Sequence, residues 1–332
     1  MKVLVLGGTQ LSGPFTARFL IAHGQQVTLF HRGKHSADLP STVKHIFGER
    51  REVDQYIDEF KRLAPDVVLD MLAFTRDDAH MLMQVFKGIT KRVVVPSSSD
   101  VYRAFGRLHG TEPGPVDPIP FSEESPLRES LSMHGEEYEK RWVEQVVMGD
   151  AQLPGTILRF PMIYGPHDGG RTFDVVKRIM DRRNVIVLDE GAARWRWSRG
   201  FAENVGWATA LAVMNERSAG RVYNVAEPEG LSYLEWTQRI TRAAGWNGRI
   251  VVVPRGRFKD PTNYEHHWVV DTTRIRAELG YMEVVHAQEA MRRTVEWQLA
   301  NPLEKFDTRD FDYEEEDRIL AKLEMVDLSN VS

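Results

Sequence analysis

The 332-residue sequence contains no cysteine. Disulfide staples, thiolate metal sites and thiol nucleophiles are therefore excluded together. It also lacks any apolar run approaching the roughly 20 residues that a membrane-crossing helix requires. The opening MKVLVLGG enters directly into a strand-like run without the charged region, long apolar segment and cleavage site of a leader peptide, so a cytoplasmic protein is expected. Excess positive charge is missing as well: 43 Lys and Arg stand against 48 Asp and Glu, for a net charge of −5. Affinity for a phosphate backbone rests on clustered cations, so a small molecule rather than nucleic acid is the expected partner. The 11 histidines show no HExxH-like spacing, and adjacent His266 and His267 sit in a polar loop; no metal site is expected.

What is present is 42% hydrophobic content, enough for a large core and more than one domain. Short β-branched runs recur at KVLVL (2–6), QVTLF (26–30), His45–Phe47, DVVLDM (66–71) and RVVVP (92–96). Helical periodicity separates them at Phe15–Ala22, Asp54–Leu63 and Ala79–Phe86. Such alternation predicts an α/β fold with a doubly wound, Rossmann-type parallel sheet covered on both faces. Arg103–Ser132, rich in Pro, Gly and acids, reads as a long loop. A helix over Glu136–Met148 and a strand at Thr156–Leu158 follow.

The later chain predicts helices at Thr172–Asp181, Ala202–Met214, Asp271–Leu279 and Gln288–Asn301, with strands at Val185–Leu188 and Arg221–Val225. Ser232 with Glu235 three residues on reads as a capping box opening another helix. The expected organisation is a dinucleotide domain over 1–165, to which 200–226 returns, a smaller substrate domain over 166–302, and an acidic tail over 303–332 with a helix at Tyr313–Leu323. Between Arg171 and Arg199 cations outnumber acids, so that stretch could hold an anionic ligand.

A strand that ends in glycines and passes into a helix gathers backbone N–H groups at the positive end of a helix dipole, which suits a pyrophosphate. Gly7, Gly8 and Gly13 supply such a turn with Thr9, Gln10 and Leu11 between them. Gln10 stands where the dinucleotide fingerprint has a glycine, so an ordinary strand–helix turn is the competing account.

Six segments, GGTxxxG, PDVVLD, VVVPSSSDVY, LPGTILRFPMIYGPHD, RGFAENV and GRVYNV, stand in the order of landmarks in the extended short-chain dehydrogenase/reductase superfamily. The chain resembles that superfamily, which includes sugar-nucleotide epimerases and dehydratases, from Met1 to about Asn301. The resemblance implies a cofactor across the carboxyl edge of the sheet, a C-terminal part closing over a polar, sugar-derived or nucleotide-linked substrate, and hydride transfer. A homodimer through helices flanking the sheet, Glu136–Met148 among them, is also implied. His31, not an acid, ends the second strand and Arg32 follows, which favours NADP over NAD. Glu49 and Arg50 are expected near the adenine, Asp70 and Ala73 near the nicotinamide, and Pro161 also along the cofactor.

In that superfamily a Tyr, a Lys four residues later and a strand-end Ser or Thr form the catalytic site; the lysine lowers the tyrosine pKa for proton exchange. Ser98 matches the strand-end residue and Asp100 is a candidate acid or base. In GEEYEKRWVE, however, Tyr138 and Lys140 are two apart, which on a regular helix turns them to nearly opposite faces. With Lys140 in register, Glu136 replaces the tyrosine; with Tyr138 in register, Trp142 replaces the lysine. On the substrate side, Arg159 is expected to be structural and Tyr164 to shape the pocket rim, with Arg171, Arg194, Arg196 and Arg199 as anion contacts; the alternation of Arg with Trp195 and Trp197 reads either as charge plus stacking or as an edge strand. A second reading is a nucleotide-binding regulator or RNA-associated protein without redox turnover, like some plastid relatives with a similar start.

Overall fold

Seven parallel strands run through the centre of the protein, and their order places one crevice. The strands of the chain are β1 (Lys2–Leu6), β2 (Gln26–His31), β3 (Lys44–Phe47), β4 (Val67–Asp70), β5 (Arg92–Ser98), β6 (Gly155–Phe160), β7 (Met162–Tyr164), β8 (Val185–Asp189), β9 (Arg199–Phe201), β10 (Arg221–Asn224) and β11 (Arg249–Val253). The central sheet has the order β10-β6-β5-β4-β1-β2-β3. Direction of winding reverses between β1 and β4, and ligands of such sheets bind beyond the carboxyl ends at that point. Leu6 is in register with Phe30 on one side and Asp70 on the other, so the strand ends carrying Gly7, His31, Asp70 and Ser98 open onto one edge. The computed structural model describes residues 1–35 and 37–329, apart from the side chains of residues 309 and 324–329.

Near-continuous apolar strands bury both faces, as the sequence pattern required. Val3, Val5 and Leu29 pack against Ala17 and Leu20 of the helix Gly13–Ala22 and Val205 and Ala208 of the helix Ala202–Met214. Leu4, Leu6 and Val95 face the opposite way, onto Leu82 and Phe86 of the helix Arg76–Phe86 and Val143 and Val147 of the helix Lys140–Met148. A capping box of Thr75 and Asp78 starts the helix Arg76–Phe86, and the anticipated one of Ser232 and Glu235 starts Tyr233–Ala243.

Beyond the sheet, β7 pairs with β9 and β8 with β11, around a core that includes Tyr164, Phe201, Trp236 and Met291. Three local expectations are corrected. The expected loop from Arg103 begins as a helix, Arg103–Leu108, and Asp117 ties it down through Arg103 and Arg107. The helix expected from Asp54 starts at Ile57, after a tight turn over Arg50–Tyr56. The helix expected over Glu136–Met148 is broken: a single turn covers Glu136–Tyr138 and the α-helix begins at Lys140.

The acidic tail has a structural use. Its helix, Tyr313–Ser329, meets the basic stretch through Arg178–Glu316 at 2.6 Å, Tyr313–Asp181 at 2.6 Å and an Arg183–Asp317 ion pair. Ile319 is buried beside Val187 and Val253. Two of the cations that the sequence offered to an anionic ligand, Arg178 and Arg183, are thereby paired within the chain.

Candidate active site

A cleft of about 1760 Å³ lies over the carboxyl edge, with the glycine turn at one end. This exceeds the roughly 300–1,000 Å³ typical of one small-ligand pocket, leaving room for a dinucleotide and a substrate together. Gly7 and Gly8 have φ of 87° and 78°, where a side chain would be strained. A Cβ on Gly13 would stand 2.6 Å from the backbone of Gly8, so glycine there allows the helix to start directly under the turn. Thr9, Gln10, Leu11 and Ser12 line the cleft at that helix end; Gly13 itself stands behind them. The turn thus fits a pyrophosphate despite Gln10, which is exposed.

At the end of β2, His31 Nε2 is 2.8 Å from His45 Nδ1, and burial followed by the His45 charge lowers the His31 pKa. Arg32, Lys34, Glu49 and Arg51 line the same part of the cleft, with Arg32 3.8 Å from Glu49. Arg50 also reaches the lining, but its guanidinium is engaged: Nη2 meets Asp70 Oδ2 at 2.5 Å and the Asp78 carbonyl at 2.9 Å. Asp70 is buried in that ion pair, and Ala73 is buried with its carbonyl 2.6 Å from Lys140 Nζ. Of these three residues, expected near the cofactor, Arg50 lines the cleft while Asp70 and Ala73 stand off its lining; Pro161 lines it.

The broken helix brings Tyr138 and Lys140 together. Glu139 between them has φ −123° and ψ 86°, outside helical values, and both neighbours line the cleft. Lys140 Nζ lies 5.5 Å from the Tyr138 ring centre and donates to the carbonyls of Ala73 and Pro96. Burial lowers its pKa to about 8, opposed first by Asp100 and then by Asp70. Ser98 ends β5 and stands near enough to Tyr138 for its hydroxyl to act on the phenol. Burial and then Asp100 raise the Tyr138 pKa, while Ser98 and Arg171 oppose the rise. Asp100 is buried, with one carboxylate oxygen unpartnered among the described residues, and burial pushes its pKa to about 6 against Arg128, Ser98 and Lys140. Glu136 and Trp142, the alternative occupants of the catalytic register, line the same cleft.

The expected substrate contacts divide. Arg171 lines the cleft and is close enough to act electrostatically on Tyr138. Arg194 and Arg196 lie on the other side of their segment, paired with Glu190 and Glu235, while Trp195 and Trp197 face the cleft. Arg199 is buried between the Trp197 and Trp236 rings, 4.2 and 4.3 Å from their centres. Tyr164 is buried too, its hydroxyl 2.7 Å from Glu227 and off the cleft lining. Arg159 is structural, bound to Glu144 at 2.7 Å and to the Tyr102 hydroxyl at 2.9 Å. Sequence reading missed Phe105, Tyr264 and Trp268, which complete the aromatic wall. Trp268 Nε1 donates to the Ser99 carbonyl at 2.8 Å, next to Ser98, a pairing 169 residues apart with no local sequence signal.

Fold and cleft define a Rossmann-type dinucleotide-binding protein. The family model of the NAD dependent epimerase/dehydratase family matches residues 3–226, and the chain belongs to that family. The chain is 28% identical over 262 residues to 2'-dehydrokanamycin reductase of Streptomyces kanamyceticus, covering 76% of this chain and 70% of that protein. It is 29% identical over 259 residues to the chloroplast stem-loop binding protein of 41 kDa b of Arabidopsis thaliana, covering 74% and 64% respectively. The dTDP-glucose 4,6-dehydratase of Bacillus anthracis str. Ames, solved in complex with NAD, has the same fold, with a TM-score of 0.70 and 16% identity over 91% of this chain and 97% of that one. The resemblance carried by the six sequence landmarks is thereby established.

Proposed function

We propose that this family member is an NAD(P)-dependent enzyme that interconverts a carbonyl and an alcohol on a polar, sugar-derived substrate, with Tyr138 as the proton-exchanging group. The observation that carries this reading is the meeting of Tyr138, Ser98 and Lys140 in the cleft whose other end is the glycine turn. Residues 8–12 would hold the pyrophosphate of a nicotinamide dinucleotide, which supplies hydride exchange with the reacting carbon when bound. Ser98 orients the substrate oxygen and the Tyr138 hydroxyl gives it a proton in the reducing direction, or takes one in the oxidising direction. Lys140, cationic below about pH 8, favours the phenolate left behind.

NADP is the preferred cofactor in this reading, because Arg32, Lys34 and Arg51 gather where the second strand ends without an acid. Residues 1–165 with 200–226 carry the cofactor, and 166–302 contribute the opposing substrate wall. The working form is a cytoplasmic homodimer. A reductase and a sugar-nucleotide dehydratase stand among the similar proteins, which supports this class of chemistry. The stem-loop binding relative favours a second reading, nucleotide or RNA binding without turnover.

Mass spectrometry of the purified protein for bound NADP or NAD, followed by deuteride transfer from 4-deuterated cofactor to keto-sugars, tests the proposal. Stereospecific transfer is the expected result. Cofactor binding with RNA retention and no transfer to any keto-sugar would move the assignment to the second reading.

A further inference from the structure

Two residues apart on a regular helix, Tyr138 and Lys140 would stand about 200° apart around its axis. Non-helical Glu139 removes that obstacle, and it is held by more than its own backbone preference. Its side chain is fully buried, and its carboxylate meets Arg128 Nη1 at 3.2 Å and Nη2 at 3.1 Å, Arg141 Nε at 3.1 Å and the Ser132 amide at 3.0 Å. Burial raises the Glu139 pKa, but the bonds from Arg141 and Arg128 outweigh it and hold the group ionised. Arg128 is equally buried, and its Nε donates to the Asp100 carbonyl at 2.6 Å while its amide donates to the Val101 carbonyl at 2.8 Å.

One buried guanidinium–carboxylate pair therefore links the residue between Tyr138 and Lys140 to the segment that carries Ser98 and Asp100. Buried ion pairs are poor sources of net stability, because a well-packed apolar pair of similar volume often does as well or better. Their attested advantage lies in fixing one geometry among several. We infer that Arg128 and Glu139 are positioning residues whose clamp sets the Tyr138–Lys140 geometry, so that a non-helical residue does here what four-residue helical spacing does elsewhere. This rests on the proposed catalytic reading of Tyr138 and Lys140.

The test compares the full chain with Tyr138→Phe, Glu139→Gln and the double variant Arg128→Met/Glu139→Leu, which keeps apolar volume but removes the clamp. NADPH affinity is read by fluorescence, turnover by NADPH oxidation with 9,10-phenanthrenequinone as probe, and residue 139 by crystal structure. The expected result is that the double variant melts within a few degrees of the parent and binds NADPH within about threefold, yet loses at least tenfold in kcat with little change in KM. Glu139→Gln should fall between parent and double variant, and in the double variant's crystal structure residue 139 should be helical with the Tyr138 hydroxyl withdrawn from Ser98. A double variant with parental kcat, or one whose Tyr138 remains at Ser98, overturns the inference while Tyr138→Phe still impairs turnover. If Tyr138→Phe turns over as the parent does, the catalytic reading and the inference fall together.

Discussion

Lys140 Nζ sits 4.5 Å from the centre of the Phe74 ring and 5.5 Å from that of Tyr138, closed in by aromatic faces and the carbonyls of Ala73 and Pro96. The ammonium is thus held by groups that cannot neutralise it, beside a phenol that burial keeps protonated. A proton donor of this kind contributes roughly 10²–10⁴-fold to rate. Tyr138→Phe should lower kcat/KM by that range and leave cofactor affinity unchanged. Isothermal titration with NADPH alongside steady-state rates checks both, and parental kcat/KM in the variant would remove Tyr138 from the mechanism.

The buried lysine gives a pH dependence with opposite signs for activity and stability. Burial lowers its pKa to about 8 from an ordinary 10.5, with Asp100 the strongest influence in the other direction. Turnover should decline above about pH 8 as the cation is lost. Between pH 8 and 10.5 the unfolded chain binds the extra proton, so the cost of burying Lys140, fully present below pH 8, is relieved and this group's contribution to stability rises with pH. Asp100→Asn removes the main supporting charge and should move the basic limb downward. A pH–rate profile flat from 7.5 to 10 in the parent would contradict the assignment.

In the proposed reading, cofactor choice turns on the end of β2. Charge-assisted hydrogen bonds are worth about 1.5–3 kcal/mol, so Arg32→Ala should weaken NADPH by roughly 10- to 100-fold while changing NADH little. His31→Asp, placing an acid where a ribose hydroxyl would be met, should shift preference toward NADH. Equal ratios of the two dissociation constants in parent and Arg32→Ala would show that the 2'-phosphate is held elsewhere.

How much of this was legible in the sequence follows the range of the forces involved. The sheet and glycine turn depend on local patterns: KVLVL is buried along nearly its whole length, and Gly7, Gly8 and Gly13 stand where the backbone demands them. The alternation of Arg194, Trp195, Arg196 and Trp197 was visible as two faces, but which face meets the cleft depends on Trp268 and Ser232, distant partners bridged to Trp197 and Arg196. The helix break was illegible because Glu139, which caps the helix through the Arg141 amide, is also bound by Arg128, eleven residues away. In the same way the basic stretch looked available until the acidic tail was found on it, with Arg178 and Glu316 separated by 138 residues.

Tyr164 and Arg199 separate packing from recognition. Both were expected at the substrate, yet Tyr164 donates to buried Glu227, whose pKa burial raises to about 7, and Arg199 lies between two indole rings with Nε and Nη2 unpartnered among the described residues. Removing the phenol leaves a buried carboxyl short of a donor, a loss of about 1–3 kcal/mol. Tyr164→Phe should therefore lower stability in urea by that amount without changing KM for a keto-sugar substrate. Arg199→Met keeps volume under Trp197 and removes a poorly satisfied buried cation, so stability should hold or rise. A KM change in Tyr164→Phe with parental stability would place the hydroxyl at the substrate after all.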